Sequence, residues 1–146
     1  MPLQQSLVLL KPDAVQRSLV GELISRLERR GVKLVGLKLM RMDMDLARAH
    51  YAAHVEKPFF AGLAAFMTSR PIIAMAVEGK NAVQLVRQAT GATDPQKADA
   101  GTIRGDLGMD IGRNLVHGAD SPEAAERELA IFFREGELFA YERETE

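Results

Sequence analysis

The stretch Asn114–Glu123 constrains the chain more than any other, because it passes from strand to helix within ten residues. Its first apolar pair is typical of the end of a short buried strand, which Gly118 interrupts. Asp120 or Ser121 can cap a following helix, and the proline after them suits the first helical turn. The pattern predicts that His117 lies at a strand-to-helix junction, beside a glycine that lets a ligand approach closely.

The predicted helix after this junction carries a carboxylate on its apolar side. At about 100° per residue, Glu128 falls inside an arc of apolar side chains. The members of that arc are Ala124, Ala125, Leu129, Phe132 and Phe133. A carboxylate in such a place is costly without a partner, and His117 is a natural one, since a carboxylate on one ring nitrogen leaves the other free as a nucleophile. The residues alone also allow a histidine that caps a loop, beside a glutamate that reaches solvent.

The composition limits the class of protein. The chain has 146 residues, enough for one domain with a real core. Its 19 basic and 20 acidic residues nearly cancel, so no bulk attraction to nucleic acid or to a membrane is implied. There is no cysteine, and no apolar run reaches the ~20 residues that a membrane span needs. The first residues lack the basic start and apolar stretch of a signal peptide, so a cytoplasmic location is expected.

Hydrophobic periodicity predicts alternating strands and helices along the chain. Strands are predicted at 6–10, 33–42, 71–77 and around Leu115, and helices at 20–30, from Asp43 or Asp45, from Pro58, from Asn81 to Ala89 and from Pro122. The second strand is expected to show Val35, Leu37 and Leu39 on one face. This order is compatible with a βαββαβ sandwich whose helices cover one face of a small sheet. Periodicity alone does not exclude a parallel, doubly wound sheet.

The segment 91–113 shows no convincing helix or strand over 23 residues. Loops longer than ~12–15 residues inside a compact domain are usually functional or disordered. Its glycines expose backbone N–H groups, and its arginines can bind phosphate oxygens bidentately. The polar residues of interest are Thr93, Lys97, Thr102, Arg104 and Arg113. The segment is either an anion-binding lid or a solvated surface loop or subunit contact.

Further candidate phosphate ligands lie outside that segment. Lys11 directly follows a buried strand, so its ammonium could point into a cleft, whereas Arg87 lies on a predicted helix where solvated charges are common. Tyr51 and His54 share one face of a predicted helix, for which amphipathic packing is the favoured explanation. His50 and His54 lack the acidic residue of an H-E-x-x-H zinc motif. The chain also has no Walker A motif, G-x-G-x-x-G fingerprint or G-x-S-x-G elbow.

Several stretches together resemble the nucleoside diphosphate kinase family, in the order and at the spacing of that family. They are Lys11-Pro12-Asp13 within 10–17, Lys57-Pro58-Phe59-Phe60 within 51–60, Gly91-Ala92-Thr93-Asp94-Pro95, Gly101-Thr102-Ile103-Arg104-Gly105-Asp106, and Asn114 through Ser121. The resemblance covers essentially the whole chain. The pattern Asn-x-x-His-Gly-x-Asp-Ser is highly specific, and its combination with the other motifs leaves little room for coincidence.

The resemblance implies a chemistry and a role for each matching residue. Family enzymes move the γ-phosphate of a nucleoside triphosphate to a nucleoside diphosphate by ping-pong, through a phosphohistidine that here would be on His117. Glu128 would orient the imidazole. The phosphates would be held by Lys11, Tyr51, Arg87, Thr93 and Arg104, with His54 near the α-phosphate. Lys11 and Asn114 would contact the ribose, and Phe59 would stack on the base opposite Ile111. Because stacking reads any base, broad nucleotide use follows.

The resemblance also implies the fold and the partners. The family fold is a ferredoxin-like α+β sandwich, in which a βαββαβ unit forms two layers with an antiparallel sheet. A long glycine-rich loop precedes its catalytic strand. Residues 1–146 would form a single nucleoside diphosphate kinase domain. Mg²⁺ would be bound mainly through the nucleotide phosphates, and the chain would assemble as a homo-oligomer, usually a hexamer and sometimes a tetramer in this family.

Two features depart from the family pattern or bear on the assembly. Ala119 stands where the family usually has serine, which removes a hydrogen-bond donor near the His117 and Glu128 pair. Activity is expected to persist, and Ala119→Ser is expected to raise the rate or the stability. The last residues, 142–146, form an acidic tail, and C-terminal segments often contribute to subunit contacts.

Three alternatives accompany this interpretation. A non-catalytic nucleotide-binding relative is opposed by the full set of matching site residues and supported only by Ala119. An RNA- or DNA-binding module is opposed by the near-neutral charge and the few aromatic residues on the predicted strands. Transfer of phosphate from His117 to protein histidines is a third possibility, on which the sequence is silent.

Overall fold

The computed structural model describes residues 3–144, so Met1, Pro2 and the last two residues of the predicted acidic tail lie outside it. The strands are β1 (Leu3–Leu10), β2 (Lys33–Met40), β3 (Ile72–Lys80) and β4 (Val116–Gly118). The helices are α1 (Pro12–Gln16), α2 (Val20–Arg29), α3 (Met44–His50), α4 (Phe60–Thr68), α5 (Ala82–Thr90), α6 (Ile103–Leu107) and α7 (Pro122–Phe132). Short 3-10 turns lie at Ala52–His54, Pro95–Lys97 and Glu135–Glu137.

The four strands form one antiparallel sheet in the order β2-β3-β1-β4. This arrangement confirms the βαββαβ fold and excludes the parallel, doubly wound sheet. The continuous apolar run predicts that β1 is buried on both faces, and its position as a central strand confirms this. β4, which carries His117, pairs with β1 so that His117 lies opposite Leu9. The histidine therefore lies on an edge strand of the sheet and is fixed beside the central strand β1.

Helices cover both faces of the sheet. On one face, Val8 and Leu10 of β1 pack in a core that includes Leu23 of α2 and Val86 of α5. These are the two crossover helices of the predicted sandwich. On the other face, Leu9 packs in a second core with residues from three further helices, α3, α4 and α7. The sequence pattern did not predict this additional layer, which brings α3 and α7 to the same end of the sheet as His117.

A β-bulge changes which residues of β2 face the core. The pairing of β2 with β3 shifts between Leu34 and Gly36, so Val35 is the extra residue. Val35 is 2% exposed in the core beneath α3, α4 and α7, whereas Leu37 and Leu39 are 51% and 65% exposed. The prediction that these three side chains share one face is wrong, because one extra residue inverts the alternation of a strand.

The helix predicted to carry His50, Tyr51 and His54 is divided in the structure. α3 ends at His50, and Tyr51 leads into the 3-10 turn that contains His54. The carbonyl of Tyr51 accepts the N–H of His54 at 2.8 Å, so these two residues remain neighbours. α4 begins at Phe60, later than predicted, which leaves Phe59 outside the helix and 53% exposed.

The segment 91–113 contains a helix that the pattern did not predict. Thr102 caps α6, because its Oγ1 accepts the N–H of Gly105 at 3.0 Å. Five residues are too few to show a helical period, so only the cap could have revealed this helix. The rest of the segment is irregular apart from one 3-10 turn and an isolated β-bridge between Asp110 and Arg113, and it remains a long glycine-rich connection to β4. Among residues 3–144, none of the helices has the length and apolar character required to cross a membrane.

Candidate active site

A cavity of about 460 Å³ opens beside β4, between α3, α5, α7 and the segment 91–113. Nine of the eleven side chains predicted from the sequence line it. These are Lys11, Tyr51, His54, Arg87, Thr93, Arg104, Asn114, His117 and Glu128. Phe59 and Ile111 do not line it, and they are 53% and 60% exposed. The fold therefore collects the polar part of the predicted set and leaves the two apolar members at the surface.

His117 and Glu128 form the hydrogen bond that the sequence pattern predicts. The Nε2 atom of His117 lies 2.8 Å from Oε1 of Glu128. The Glu128 side chain is 7% exposed and the His117 side chain 23%, so the pair lies at the cavity wall with the ring open to it. Ser121 caps α7 through its Oγ, which accepts the N–H of Ala124 at 3.0 Å. β4 and the capped helix α7 therefore hold His117 and Glu128 at hydrogen-bond distance.

Gly118 has a packing role in addition to its place at the cavity wall. A Cβ atom at this position would come within 2.8 Å of Cγ1 of Val86 on α5. The glycine therefore lets α5 approach β4 closely. The sequence pattern predicts a ligand at this glycine, whereas the close neighbour observed is a helix.

Lys11 lies at the other side of the cavity and is held by Asn114. Its ammonium donates to Oδ1 of Asn114 at 2.8 Å, and the amide of Asn114 donates to the carbonyl of Thr93 at 2.9 Å. Burial lowers the pKa of Lys11 to about 8, and the positive charge of Arg104 adds to this effect. Three predicted site residues are thus joined in one chain of hydrogen bonds.

A left-handed residue precedes the strand that carries His117. Leu115 has a φ of +74°, which is rare outside glycine. Its N–H donates to Oδ2 of Asp13 at 3.0 Å, and its carbonyl accepts the N–H of Lys11 at 2.9 Å. Burial raises the pKa of Asp13, while the N–H of Leu115 opposes that rise. The Lys11-Pro12-Asp13 motif therefore also fixes the backbone at the start of β4.

Arg104 is buried and bonded to the backbone. Its guanidinium donates to the carbonyl oxygens of Gly91 at 2.9 Å, of Asn114 at 3.3 Å and of Val116. Burial lowers the pKa of Arg104 to about 10, with a contribution from the charge of Arg87. These bonds tie the segment 91–113 to β4. Because a guanidinium has five N–H donors, two remain for a ligand in the cavity.

Tyr51 and His54 reach the same cavity from the 3-10 turn after α3. Burial raises the pKa of Tyr51 well above its usual range, and the charge of Glu128 contributes, so the phenol keeps its proton. The Nδ1 atom of His54 has no hydrogen-bond partner among the described residues. Phe59 lies beside His54, with the ring centroids 5.4 Å apart. Phe59 is thus adjacent to the predicted set although it lies outside the cavity wall.

Four polar cavity residues were not predicted to belong to the site, namely His50, Thr90, Asp120 and Arg127. Asp120 and Arg127 line the cavity, and Nη2 of Arg127 lies 3.7 Å from Oε2 of Glu128. His50 is buried, and its ring packs edge-on against that of His117 with the centroids 4.7 Å apart. Sequence spacing could not reveal the contact of His50, because α3 and β4 are distant in the chain and meet only through the fold.

Comparison with known proteins agrees with this geometry. The family model described as nucleoside diphosphate kinase matches residues 4–138. A protein named nucleoside diphosphate kinase from Carboxydothermus hydrogenoformans is 55% identical over 97% of this chain and 95% of its own length. One of the same name from Archaeoglobus fulgidus is 51% identical over 99% of this chain and 95% of its own length.

A solved structure extends the similarity to the fold. The halophilic nucleoside diphosphate kinase of Halobacterium salinarum, determined in complex with CDP, superposes with a TM-score of 0.95. It is 51% identical to this chain, and the superposition covers 97% of this chain and 95% of the other. The chain therefore belongs to the nucleoside diphosphate kinase family of phosphotransferases.

Proposed function

We propose that His117 carries the γ-phosphate between a nucleoside triphosphate and a nucleoside diphosphate, in a ping-pong reaction. The observation that supports this most directly is the bond of 2.8 Å between its Nε2 and Glu128. That bond leaves Nδ1 without a partner among residues 3–144, on a ring that lines the cavity. A neutral imidazole held in this way has a defined tautomer and an available lone pair.

The chemical step follows from this arrangement. Nδ1 attacks the γ-phosphorus in line, the N–P bond forms, and the bond to the bridging oxygen breaks so that the diphosphate leaves with the electron pair. Glu128 stabilises the positive charge that develops on the ring, because its carboxylate accepts the hydrogen bond from Nε2–H. In the second half-reaction, a terminal oxygen of the acceptor diphosphate attacks the same phosphorus and restores the neutral ring.

The cations of the cavity supply the charge that phosphoryl transfer requires. Lys11, Arg87 and Arg104 would hold the phosphates, since positioning and charge stabilisation make up most of the catalysis in this reaction class. Tyr51 and Thr93 would donate hydrogen bonds, with His54 near the α-phosphate. Lys11 and Asn114, already joined at 2.8 Å, would contact the ribose. We assign Lys11 and Tyr51 to catalysis together with His117 and Glu128.

Phe59 and Ile111 would contact the base. Both are more than half exposed, so each has apolar surface free to stack on a ring. Stacking does not distinguish bases, which supports broad nucleotide use. CDP in the halophilic relative is compatible with this assignment.

We infer that Mg²⁺ enters with the nucleotide phosphates. The cavity carries cations, and its carboxylates are few: Glu128 is bonded to His117, and Asp120 is the other one in the wall. Mg²⁺ prefers an octahedron of oxygen ligands, which phosphates and water can supply. When bound, the ion neutralises charge on the phosphates, and the side chains here orient the rest of the nucleotide.

We also infer a single kinase domain over residues 1–146 and a homo-oligomer, as the family resemblance implies. Leu37 and Leu39 support the assembly, because they expose apolar surface on β2, which is an edge strand of the sheet. A hexamer is expected ahead of a tetramer. A place in the cytoplasm, where nucleotides are abundant, stays a prediction.

Labelling with γ-labelled ATP and magnesium, without an acceptor, tests the proposal. We expect acid-labile, alkali-stable label on the chain that transfers to added GDP or UDP. His117→Gln should abolish the label, and His54→Gln is the matched control that should still accept it. The proposal would be contradicted if His117→Gln still became labelled. It would also be contradicted if the wild-type chain bound nucleotide but acquired no label.

A further inference from the structure

The buried ring of His50 has no assigned role in the proposed reaction. His50 is 4% exposed, and neither of its ring nitrogens has a hydrogen-bond partner among the described residues. Buried polar groups without partners are costly and uncommon. A buried imidazole without hydrogen-bond partners can offer the lone pair of one ring nitrogen to a metal.

Two other potential ligands lie beside this ring. One ligand atom from each of His50, His117 and Glu128 lies within 4.8 Å of the other two. Zinc bonds of about 2.0–2.2 Å set tetrahedral ligand atoms ~3.4 Å apart. The two ligand atoms that are farthest apart would therefore move closer by roughly 1.4 Å when zinc binds. All three residues line the cavity, which leaves the fourth position open to water or to a phosphate. Two imidazoles and one carboxylate form a common set of zinc ligands.

We propose that His50, His117 and Glu128 bind Zn²⁺ or a similar transition-metal cation, and that this cation inhibits phosphoryl transfer. Binding at Nδ1 of His117 removes the nucleophile. Binding at Nε2 displaces the proton shared with Glu128 to solvent and draws electron density from the ring, which makes Nδ1 a poorer nucleophile. The inhibition rests on the proposed role of His117, whereas the binding does not.

The charges around the three ligands set the strength and selectivity of binding. Arg127 lies 3.7 Å from the Glu128 carboxylate, and the charges of Lys11 and Arg127 both act on His50. These cations oppose a divalent ion, so we expect reversible binding weaker than in a structural zinc site. Mg²⁺ prefers oxygen ligands and should not occupy the site. The proposal therefore adds a side-chain metal site that the sequence, which lacks a zinc motif, does not predict.

Direct metal titration of the metal-free, full-length protein tests the proposal. We would measure Zn²⁺ affinity by competition with a chromogenic chelator, and the ligand geometry by the visible absorption of Co²⁺. One ion per chain is expected, with the intense bands of a tetrahedral site. His50→Gln should weaken Zn²⁺ binding by more than about tenfold, whereas His54→Gln, the matched loss of a nearby imidazole, should leave it unchanged.

A second variant keeps the test independent of the folding of His50 variants. The Arg127 side chain is 50% exposed, and Arg127→Met removes a cation next to Glu128. This variant should bind Zn²⁺ severalfold more tightly. Unchanged affinity in both His50→Gln and Arg127→Met, or loss of binding in His54→Gln, would overturn the site.

Activity then separates the two proposals. Zn²⁺ should inhibit labelling from ATP at excess Mg²⁺, and a chelator should restore it. If Zn²⁺ binding depends on His50 but His117 accepts no phosphate, the metal site is supported and the proposed phosphohistidine is contradicted. Binding that depends on His50 without any inhibition would contradict the regulatory role of the metal.

Discussion

At the scale of single residues, the reactivity of the site depends on what holds each polar atom. The carboxylate of Glu128 is hydrogen-bonded to Nε2 of His117, and Oδ1 of Asn114 accepts one N–H of the Lys11 ammonium. Both bonds leave the partner with a free atom toward the cavity, namely Nδ1 of the ring and the remaining protons of the ammonium. The site is therefore preorganised before a nucleotide binds, which is the condition for electrostatic catalysis.

We expect the charge of Lys11 to make nucleotide binding dependent on pH. Its pKa is about 8 in the folded chain, so the cation that would hold the phosphates is lost as the pH rises through that value. We expect ADP affinity, measured by calorimetry between about pH 6.5 and 9.5, to fall across this range. An affinity that does not change with pH would contradict the role given to Lys11.

The same pKa has the opposite effect on stability. Between about pH 8 and the ordinary value of 10.5, the folded chain has released a proton that the unfolded chain retains. The contribution of Lys11 to the free energy of unfolding therefore rises with pH in this window. Comparison of wild type with Lys11→Met in denaturant titrations isolates that contribution. A contribution that falls over the same window would show that burial does not lower the pKa.

Ala119 tests how much a single hydroxyl adds to the site. Its side chain is fully buried in a small cluster with Val83 and Ala125. Ala119→Ser is expected to raise kcat or the melting temperature. The underlying gain in free energy is the ~0.5–1.5 kcal/mol of one well-made hydrogen bond. A lower melting temperature with unchanged kcat would show that the hydroxyl is buried without a partner, contrary to this prediction.

The pairing of His117 with Glu128 could be predicted because both residues belong to one strand-turn-helix unit. Local periodicity places Glu128 on the buried side of α7, within reach of His117 at the start of the same unit. The contact of His50 with His117 joins α3 to β4, which only the fold brings together. The opposite faces of Val35 and Leu37 depend on a bulge, which no hydrophobic pattern in β2 reveals.

At the scale of elements, Arg104 joins the segment 91–113 to β4. Its bonds to three backbone carbonyls give it a structural role besides the proposed contact with phosphate. The sequence predicts the anion-binding role from residue type and family motif. It does not reveal the carbonyl partners, because they belong to the irregular backbone around α6 and β4.

Paired variants of two arginines separate these roles. Arg104→Met should lower the free energy of unfolding by about 2–4 kcal/mol, because buried carbonyls lose their donors. It should also speed hydrogen exchange throughout 91–113. Arg87→Met is the matched control, since Arg87 lines the same cavity, and it should weaken nucleotide binding with little effect on stability. Equal stability of the two variants would contradict the structural role of Arg104.

At the scale of the whole molecule, the fold separates a polar cavity from an apolar sheet edge. Leu37 and Leu39 are exposed on β2, at the far side of the sheet from β4. We expect light scattering coupled to size exclusion to give the mass of six chains, and Leu39→Glu to reduce it. A monomeric wild-type protein would contradict the proposed assembly, and a tetramer would contradict the expected number of six subunits.

The position of the phosphate on the ring tests the central claim most directly. Because Glu128 holds Nε2, the phosphate should bond to Nδ1 of His117. Phosphorus NMR of the chain after reaction with ATP distinguishes the two ring positions, and alkaline digestion with mass spectrometry identifies the residue. We predict phosphate on Nδ1 of His117 alone. Phosphate on Nε2, or on His50 or His54, would contradict the account.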